Sequence, residues 1–207
     1  MNLMYAVLSI YNEDPGIIKR CLNSITDIID IVLIIIDKKY DQDLSFTESY
    51  ECRVMWKRED LDNSIVEGWR NYMLQEAEDH NADWVLVIDP DEYLDFEAHM
   101  MLEEAKMGLI PIEDNIVAFA FPRKNYEKDH TGTVKYLNNY PDYQIRLVRP
   151  HLRYSGKIHE PIIIPDGEQI EIIQGHIIHD KRHLSMDEWH RKLDLFRSKG
   201  GYDNVPL

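Results

Sequence analysis

An unbroken apolar run that stops abruptly at carboxylates is the feature that most restricts how this chain can fold. Residues 84–88 (Trp-Val-Leu-Val-Ile) are all apolar, which is typical of a strand buried on both faces and too short for a buried helix. Asp89, Pro90 and Asp91 follow directly. Because Pro90 lacks a backbone N–H and bends the chain, the strand ends there. Asp89 and Asp91, together with Glu92 beside them, therefore lie at the carboxyl end of a strand, where open α/β sheets bind their ligands.

The spacing of these two acids suits a hard cation. At a bent strand end, Asp89 and Asp91 can both turn toward one ion that prefers oxygen ligands. Asp and Pro also favour solvated turns, so the stretch alone fits a turn without a ligand equally well.

Two earlier apolar runs end in the same way, and the three together predict a parallel sheet. Residues 4–10 and 31–36 have the composition of strands. They stop at polar side chains that are candidate ligands: Ser9, Tyr11, Asn12 and Asp37. A helix begins between the two strands at Asp14 and Pro15, as expected for a capping acid before a first-turn proline. Strand–helix–strand units give parallel strands, so the polar ends would line one edge of the sheet.

The rest of the chain predicts further helices and a mixed C-terminal part. Helices are expected at residues 62–79 and, capped by Asp95, through residue 107; a last helix begins at a capping box of Ser185 and Glu188. Strands are expected at 53–56, 116–121, 143–148, 157–164 and within 169–179, with a long polar loop at 123–140. We expect a single domain over residues 1–207, with a nucleotide-binding part at 1–121 and an acceptor-side part at 122–207.

Charge and cysteine content restrict the partners. A formal net charge of −15 disfavours nucleic acid and anionic membranes as the main partner, because both need a positive surface. A phosphate-bearing ligand would need a cation to enter so acidic a pocket. Cys21 and Cys52 have no metal-site spacing and fit two reduced thiols. With no signal peptide and no transmembrane-length apolar stretch, a cytoplasmic protein is expected.

Several short blocks stand in one order along the chain: residues 9–13 (Ser-Ile-Tyr-Asn-Glu), Asp37, residues 69–71 (Trp-Arg-Asn), residues 89–92 (Asp-Pro-Asp-Glu), Arg146-Leu147 and His159-Glu160. Together they resemble the glycosyltransferases of sequence family 2, which have the GT-A fold. The similarity is greatest to small bacterial members related to lipopolysaccharide-core and capsule glucosyltransferases, and it covers roughly residues 4–196. It implies an α/β fold with a Rossmann-like, mostly parallel sheet flanked by helices and a smaller mixed C-terminal part.

The resemblance also implies an activity: metal-dependent transfer of a sugar, with inversion, from a nucleotide-diphosphate sugar. We expect a UDP-sugar donor and Mn²⁺ or Mg²⁺; the acceptor could be a glycan, a lipid or a protein. Ser9 and Tyr11 would border the base, and Asp37 would accept from a base N–H. Asn12 and Arg70 belong to blocks on the donor side.

The implied metal site depends on the acidic block. Asp89 would lie near the ribose and the metal, and Asp91 would bind the metal directly. The chain departs from the family pattern at residues 38–41 (Lys-Lys-Tyr-Asp), where small residues are usual.

The remaining chemistry has more than one candidate for each role. His179 is the expected third metal ligand, with His176 and His159 as rivals, and a neutral imidazole would favour Mn²⁺. Glu160 and Asp142 are candidates for the base that deprotonates the acceptor hydroxyl. Arg146 or Arg149 can pair with phosphate.

Two other functions fit the pattern less well. A GT-A-like domain that binds a nucleotide or glycan without turnover would carry the same acids. A nucleotidyltransferase would share the sheet, but it would be expected to have a Gly-rich basic segment where this chain has Tyr11, Asn12 and Glu13.

Overall fold

The computed structural model describes residues 1–11, 13–59, 66–128, 133–136, 140–155 and 161–181. Asn12, His159, Glu160 and the helix predicted to begin at Ser185 lie outside the described residues.

Four parallel strands form one half of the main sheet. They are β1 (Met4–Ile10), β2 (Ile31–Asp37), β3 (Arg53–Glu59) and β4 (Trp84–Val87), in the order β3-β2-β1-β4. Every neighbouring pair is parallel, with Ile10 opposite Ile36 and Val7 opposite Val87. The carboxyl ends of these strands meet at one edge, as the apolar runs predict.

Local capping signals set the ends of two helices. The described helices are α1 (Pro15–Asn23), α2 (Val66–Asp79) and α3 (Phe96–Met107). Asp14 caps α1 by accepting a hydrogen bond from the Gly16 N–H, and Asp95 caps α3 through the Ala98 N–H. Gly108 ends α3 in the left-handed conformation that glycine adopts most readily. Both predicted helix starts are confirmed.

The second half of the sheet is mixed. The remaining strands are β5 (Glu92–Leu94), β6 (Ile116–Lys128), β7 (Val134–Tyr136), β8 (Asp142–Val148), β9 (Arg153–Tyr154), β10 (Ile162–Ile163), β11 (Gln169–Ile172) and β12 (Ile177–Asp180). From β4 the order continues β8-β6-β12-β5, with β7 and β11 also paired to β6, while β9 and β10 form a separate sheet. Because β8 is antiparallel to both β4 and β6, β6 and its parallel partner β12 run in the direction of β4.

The prediction of a long loop at residues 123–140 is wrong for most of the described residues in that range. β6 continues to Lys128 and pairs antiparallel with β7. The strand predicted at residues 116–121 stops just before Pro122, yet Pro122 lies within β6, between the residues that pair with β11 and those that pair with β12. The hydrogen-bonded ladder on the side of β6 that faces β11 and β12 is already interrupted at Pro122. Strands tolerate proline at such a position.

Helices cover both faces of the parallel half, which explains why its strands are continuously apolar. Alternate residues of β1 enter two separate clusters: Met4, Ala6 and Leu8 belong to one, while Tyr5 and Val7 belong to the other. α1 and α3 contribute to the first cluster, and α2 contributes to the second. The predicted α/β class is confirmed, although the C-terminal part adds antiparallel pairs. Of the helices within the described ranges, none has the length and apolar character needed to cross a membrane.

Candidate functional site

Residues from both halves of the sheet meet at the carboxyl edge of β4. Asp89 and Asp91 follow β4, and β6 and β12 end at the same edge because they run in its direction. β8 runs the other way, so its first residues lie at this edge. The polar ends of these four strands therefore converge here.

Asp89 is held by two arginines. One carboxylate oxygen lies 2.9 Å from Arg70 Nη2, and the other lies 2.8 Å from Arg146 Nη2. Burial alone would raise the pKa of Asp89, but the Arg146 and Arg70 guanidinium groups outweigh it and hold that pKa far below its usual range. Asp89 is therefore a charge partner of arginines, and both of its oxygens are engaged.

Glu92 is a fully buried carboxylate that needs compensating charge. Its side chain is 0% exposed, and its Oε1 accepts from Arg146 at 2.6 Å and from Arg123 at 3.0 Å. Its Oε2 accepts from the Asp89 backbone N–H at 3.2 Å. Burial acts to lower the pKa of Arg146, but Glu92 and Asp89 raise it well above its usual value. Buried charges of this kind persist only when they are paired.

Asp142 completes the set of charged groups. Its Oδ2 accepts from Arg123 Nε at 2.9 Å and from Asn125 at 2.9 Å, and its Oδ1 accepts from Gln144 at 2.7 Å. Burial would raise the pKa of Asp142, but the Asn125 hydrogen bond and Arg123 lower it. A carboxylate saturated with donors is a weak base, so this geometry favours a positioning role over the general-base role suggested by the sequence. We call the six charged side chains the edge network: Arg70, Asp89, Glu92, Arg123, Asp142 and Arg146.

Asn125 connects the edge network to His179 and determines its tautomer. The Asn125 amide nitrogen donates to the Asp142 carboxylate, so its oxygen faces His179 Nδ1, 2.7 Å away. An amide oxygen only accepts, so Nδ1 carries the proton. In the neutral ring, His179 Nε2 then has a lone pair, and it lies 3.4 Å from Asp91 Oδ2. Only when the ring is neutral do two electron-donating atoms face each other.

His176 and Arg149, a rival metal ligand and a predicted phosphate partner, lie away from the edge network, whereas Arg146 belongs to it. His176 Nδ1 lies 2.8 Å from Asp95 Oδ2, and its Nε2 lies 3.0 Å from the Tyr140 hydroxyl. Arg149 stacks over the Trp84 ring at 4.0 Å and donates to the Asp83 carbonyl. Because those residues precede or begin β4, Arg149 lies at the opposite end of the strand from Asp89.

The predicted base-binding residues occupy the ends of β1 and β2. Ser9 lies near the end of β1 with Tyr11 just beyond it, and Asp37 ends β2 with 7% of its surface exposed. Asp37 Oδ1 accepts from the Lys39 N–H at 2.8 Å. In the atypical segment that follows, Tyr40 is buried, and burial raises its pKa to about 12.

The sequence-based interpretation included Glu92 in the acidic block without assigning it a role, and it missed Arg123 and Asn125 as members of the site. A usable signal exists in β8, where Asp142, Gln144 and Arg146 alternate with other residues at the period of a strand. Polar residues at every second position of a strand enclosed by apolar strands indicate that one of its faces meets polar groups.

No protein-family model matches this chain, and no curated protein matches it in sequence. Within the described ranges, no group of three or more His, Cys, Asp or Glu side chains is arranged to hold a metal ion.

Proposed function

We propose that this chain is a metal-dependent glycosyltransferase of family 2 with the GT-A fold. It would transfer a sugar from a nucleotide-diphosphate sugar, with UDP as the expected nucleotide, and invert the anomeric centre. The support comes from a parallel half-sheet joined to a mixed half, and from acids and arginines gathered where the two halves meet.

The facing pair of Asp91 and His179 is the observation that carries the proposal. Asn125 accepts from the Nδ1–H of His179, so the Nε2 atom of the ring faces the Asp91 carboxylate, 3.4 Å away. Such a pair is stabilised either by a further proton or by a cation between the two atoms. A divalent cation satisfies both atoms, and an imidazole hydrogen-bonded at its other nitrogen is typical of metal sites.

A two-residue protein ligand set fits the expected metals. Mg²⁺ is usually held by one or two carboxylates together with substrate phosphates and water, and an imidazole nitrogen favours Mn²⁺. Asp91 and His179 would hold the ion. Asp89 would act indirectly, by positioning Arg70 and Arg146, because both of its oxygens accept from these arginines. The bound ion would act as a Lewis acid toward the leaving diphosphate.

The chain's own residues divide the remaining tasks between donor and acceptor. Tyr11 and Asp37, at the ends of β1 and β2, would bind the base. The acceptor hydroxyl needs a base, and Asp142 is saturated with donors. Glu160 therefore remains the proposed base; it directly precedes Pro161, which lines a cavity between α2 and β8.

One observation favours a second candidate, a domain that binds a nucleotide sugar without turnover. Asp142 is committed to neighbours, so among the two candidate bases only Glu160 would be available for proton transfer. Slow hydrolysis of the donor with Mn²⁺ would identify an enzyme, whereas donor binding without hydrolysis would identify a binding domain.

A thermal-shift screen tests the proposal. The full chain is measured with UDP-, GDP-, CMP- and dTDP-sugars, each with and without Mn²⁺. A ligand at 100 times its Kd stabilises the fold by about 2.7 kcal/mol, so the correct nucleotide should raise Tm only when the metal is present. Asp91→Asn should fold normally and lose the Mn²⁺-dependent part of the shift.

A matched control is Asp166→Asn, which removes an exposed acid from a turn and should respond like the wild-type protein. If no nucleotide raises Tm, or if Asp91→Asn retains the full Mn²⁺-dependent shift, the proposed donor and metal site is wrong.

A further inference from the structure

A small cavity lies between α2 and β8, beside the edge network. Its volume is about 190 Å³, below the ~300–1,000 Å³ of pockets that hold drug-sized ligands, so it suits one ring-sized unit. Its walls include Arg70 from α2 and Arg146, Tyr143 and Gln144 from β8. Two guanidinium groups and an aromatic ring therefore face one compact space.

Arg146, which lines this cavity, has one nitrogen without a hydrogen-bond partner among the described residues. Its contacts with Asp89 and Glu92 both come from Nη2, while its Nε is buried and has no hydrogen-bond partner among the described residues. The residue is only 4% exposed. A buried donor without an acceptor costs about 1–3 kcal/mol, and a guanidinium edge matches the geometry of a carboxylate or phosphate. A ligand oxyanion would supply the missing acceptor.

Arg70 and the aromatic walls are held in place by the surrounding structure. Arg70 lies 5.3 Å from the centre of the Tyr154 ring. Asn71, the next residue on α2, donates to the Tyr154 carbonyl at 3.0 Å and accepts from its N–H at 2.8 Å, which ties Tyr154 to α2. Tyr143 is 50% exposed and offers an open ring face, of the kind that packs against the apolar face of a sugar.

The position of the cavity separates it from the predicted base-binding residues. β8 is three strands away from β2 in the sheet order, so at ~4.8 Å per strand the cavity lies about 14 Å from Asp37. Both sites are nevertheless at the same edge, on either side of Asp89. The cavity is therefore placed to hold a second substrate rather than the nucleotide base.

We propose that the α2–β8 cavity is the acceptor subsite and that it selects a sugar carrying an acidic group, either a carboxylate or a phosphate. Arg70 and Arg146 bind the oxyanion, and Tyr143 packs against the sugar ring. The acceptor role rests on the glycosyltransferase activity proposed above, whereas recognition of an acidic sugar does not.

Saturation-transfer NMR titrations of the full chain test this assignment. The probes are D-glucuronate, D-glucose 6-phosphate, D-glucose and inorganic phosphate, each with and without UDP and Mn²⁺. At least one acidic sugar should bind about tenfold more tightly than D-glucose and should remain bound when UDP and Mn²⁺ are added. Comparison of D-glucuronate with D-glucose 6-phosphate identifies which oxyanion the cavity prefers. If inorganic phosphate binds as tightly as D-glucose 6-phosphate, recognition of the sugar ring is overturned.

Matched variants locate the binding. Arg70→Met and Tyr143→Ala should each weaken acidic-sugar binding about tenfold. Tyr143→Ala should disturb the fold less than Arg70→Met, because the Tyr143 side chain is half exposed. Arg153→Met is the control, since Arg153 pairs with Glu78 and Gln75 on α2 outside the cavity lining, and it should bind like the wild-type protein.

Four results would overturn the proposal or its acceptor role. Equal binding of D-glucose and the acidic sugars would remove the acidic specificity, as would the absence of binding by any sugar. Displacement of the acidic sugar by UDP would assign the cavity to the donor. Acidic-sugar binding without any UDP binding would reject the acceptor role together with the glycosyltransferase function, while leaving anion recognition in place.

Discussion

The two halves of the main sheet bury different kinds of side chain. In the parallel half, the interior positions of β1, β2 and β4 are almost entirely apolar, and Asp37 is buried only at the strand end. In the mixed half, charged and polar groups lie within the sheet itself: Glu92, Arg146, Asn125, His179 and Asp180 are all buried. The first half is stabilised by apolar burial, while the second depends on complementary charges.

This difference indicates where specificity can reside. Apolar burial is non-directional and tolerates rearrangement, so it gives a stable platform without selecting a ligand. Hydrogen-bonded charges are directional and costly when unpaired. The edge network therefore holds side chains in defined orientations on a rigid scaffold, which a binding site requires.

The largest expected effect separates turnover from donor binding. Glu160→Gln, in the C-terminal part of the sequence, should lower kcat for transfer by about 10²–10⁴-fold and leave donor affinity unchanged. Asp37→Ala, in the parallel half, should weaken nucleotide binding and leave Mn²⁺ binding intact. Steady-state kinetics and titration calorimetry on both variants would test this division.

Asp142→Asn is the control for the rival base. If it abolishes transfer while Glu160→Gln retains most of the rate, the two roles should be exchanged. If neither change slows transfer, an inverting mechanism with either base is refuted.

A second comparison places the same new side chain in each half. Arg146→Met leaves Asp89 and Glu92 without a shared partner, and breaking a buried charge pair costs about 3–5 kcal/mol. Leu8→Met, at a fully buried position of β1, conserves volume and should cost less than about 1.5 kcal/mol. Urea unfolding measures both free energies.

Adding Glu92→Gln to Arg146→Met should recover part of the lost stability, because it removes one uncompensated carboxylate. Equal costs for Arg146→Met and Leu8→Met would mean that the mixed half does not depend on complementary charges more than the parallel half does.

Asn125 offers a test of the link between the edge network and the proposed metal pair. Asn125→Leu removes the acceptor that holds the His179 Nδ1 proton, and loss of such a partner typically lowers metal affinity about 10–100-fold. Gln144→Leu is the matched control, because Gln144 also donates to Asp142 but is not the partner of His179. Calorimetric titration with Mn²⁺ alone should distinguish them; equal losses would contradict a specific role for Asn125.

The smallest expected effect is on stability in acid. Because Asn125 and Arg123 lower the pKa of Asp142 against the effect of burial, its ionised form stabilises the fold. That contribution is present above the ordinary Asp pKa of about 3.9 and is lost as the pH falls through the lowered folded-state value. Asp142→Asn should therefore be less stable near neutral pH and show a shallower loss of stability below about pH 4.

Urea unfolding at several pH values measures the slope for Asp142→Asn and for Leu8→Met. Leu8→Met lowers stability without changing a charge, so its acid slope should equal that of the wild-type protein. An unchanged slope in Asp142→Asn would show that this carboxyl does not contribute.

Features that depend on neighbouring residues could be predicted from the sequence. Asp14 and Asp95 begin their helices as expected, because a cap is formed with N–H groups two or three residues away. The apolar runs before Asp37 and Asp89 identified buried strands and their common edge. The strand predicted at residues 116–121, by contrast, was too short, because only the pairing of β11 and β12 with β6 shows where the missing N–H of Pro122 is tolerated.

The sequence by itself determined the alternation and length of the apolar runs, and these lead to an α/β fold with acids at one sheet edge. Only the tertiary structure decided which charges meet. Glu92 and Arg146 are 54 residues apart, as are Asn125 and His179, and their contacts depend on how β8, β6, β12 and β5 pair. A shift of one residue in any pairing would turn these side chains to the other face. Local propensity carries no information about such long-range register, so the partners of Asp89 and the tautomer of His179 follow from the fold alone.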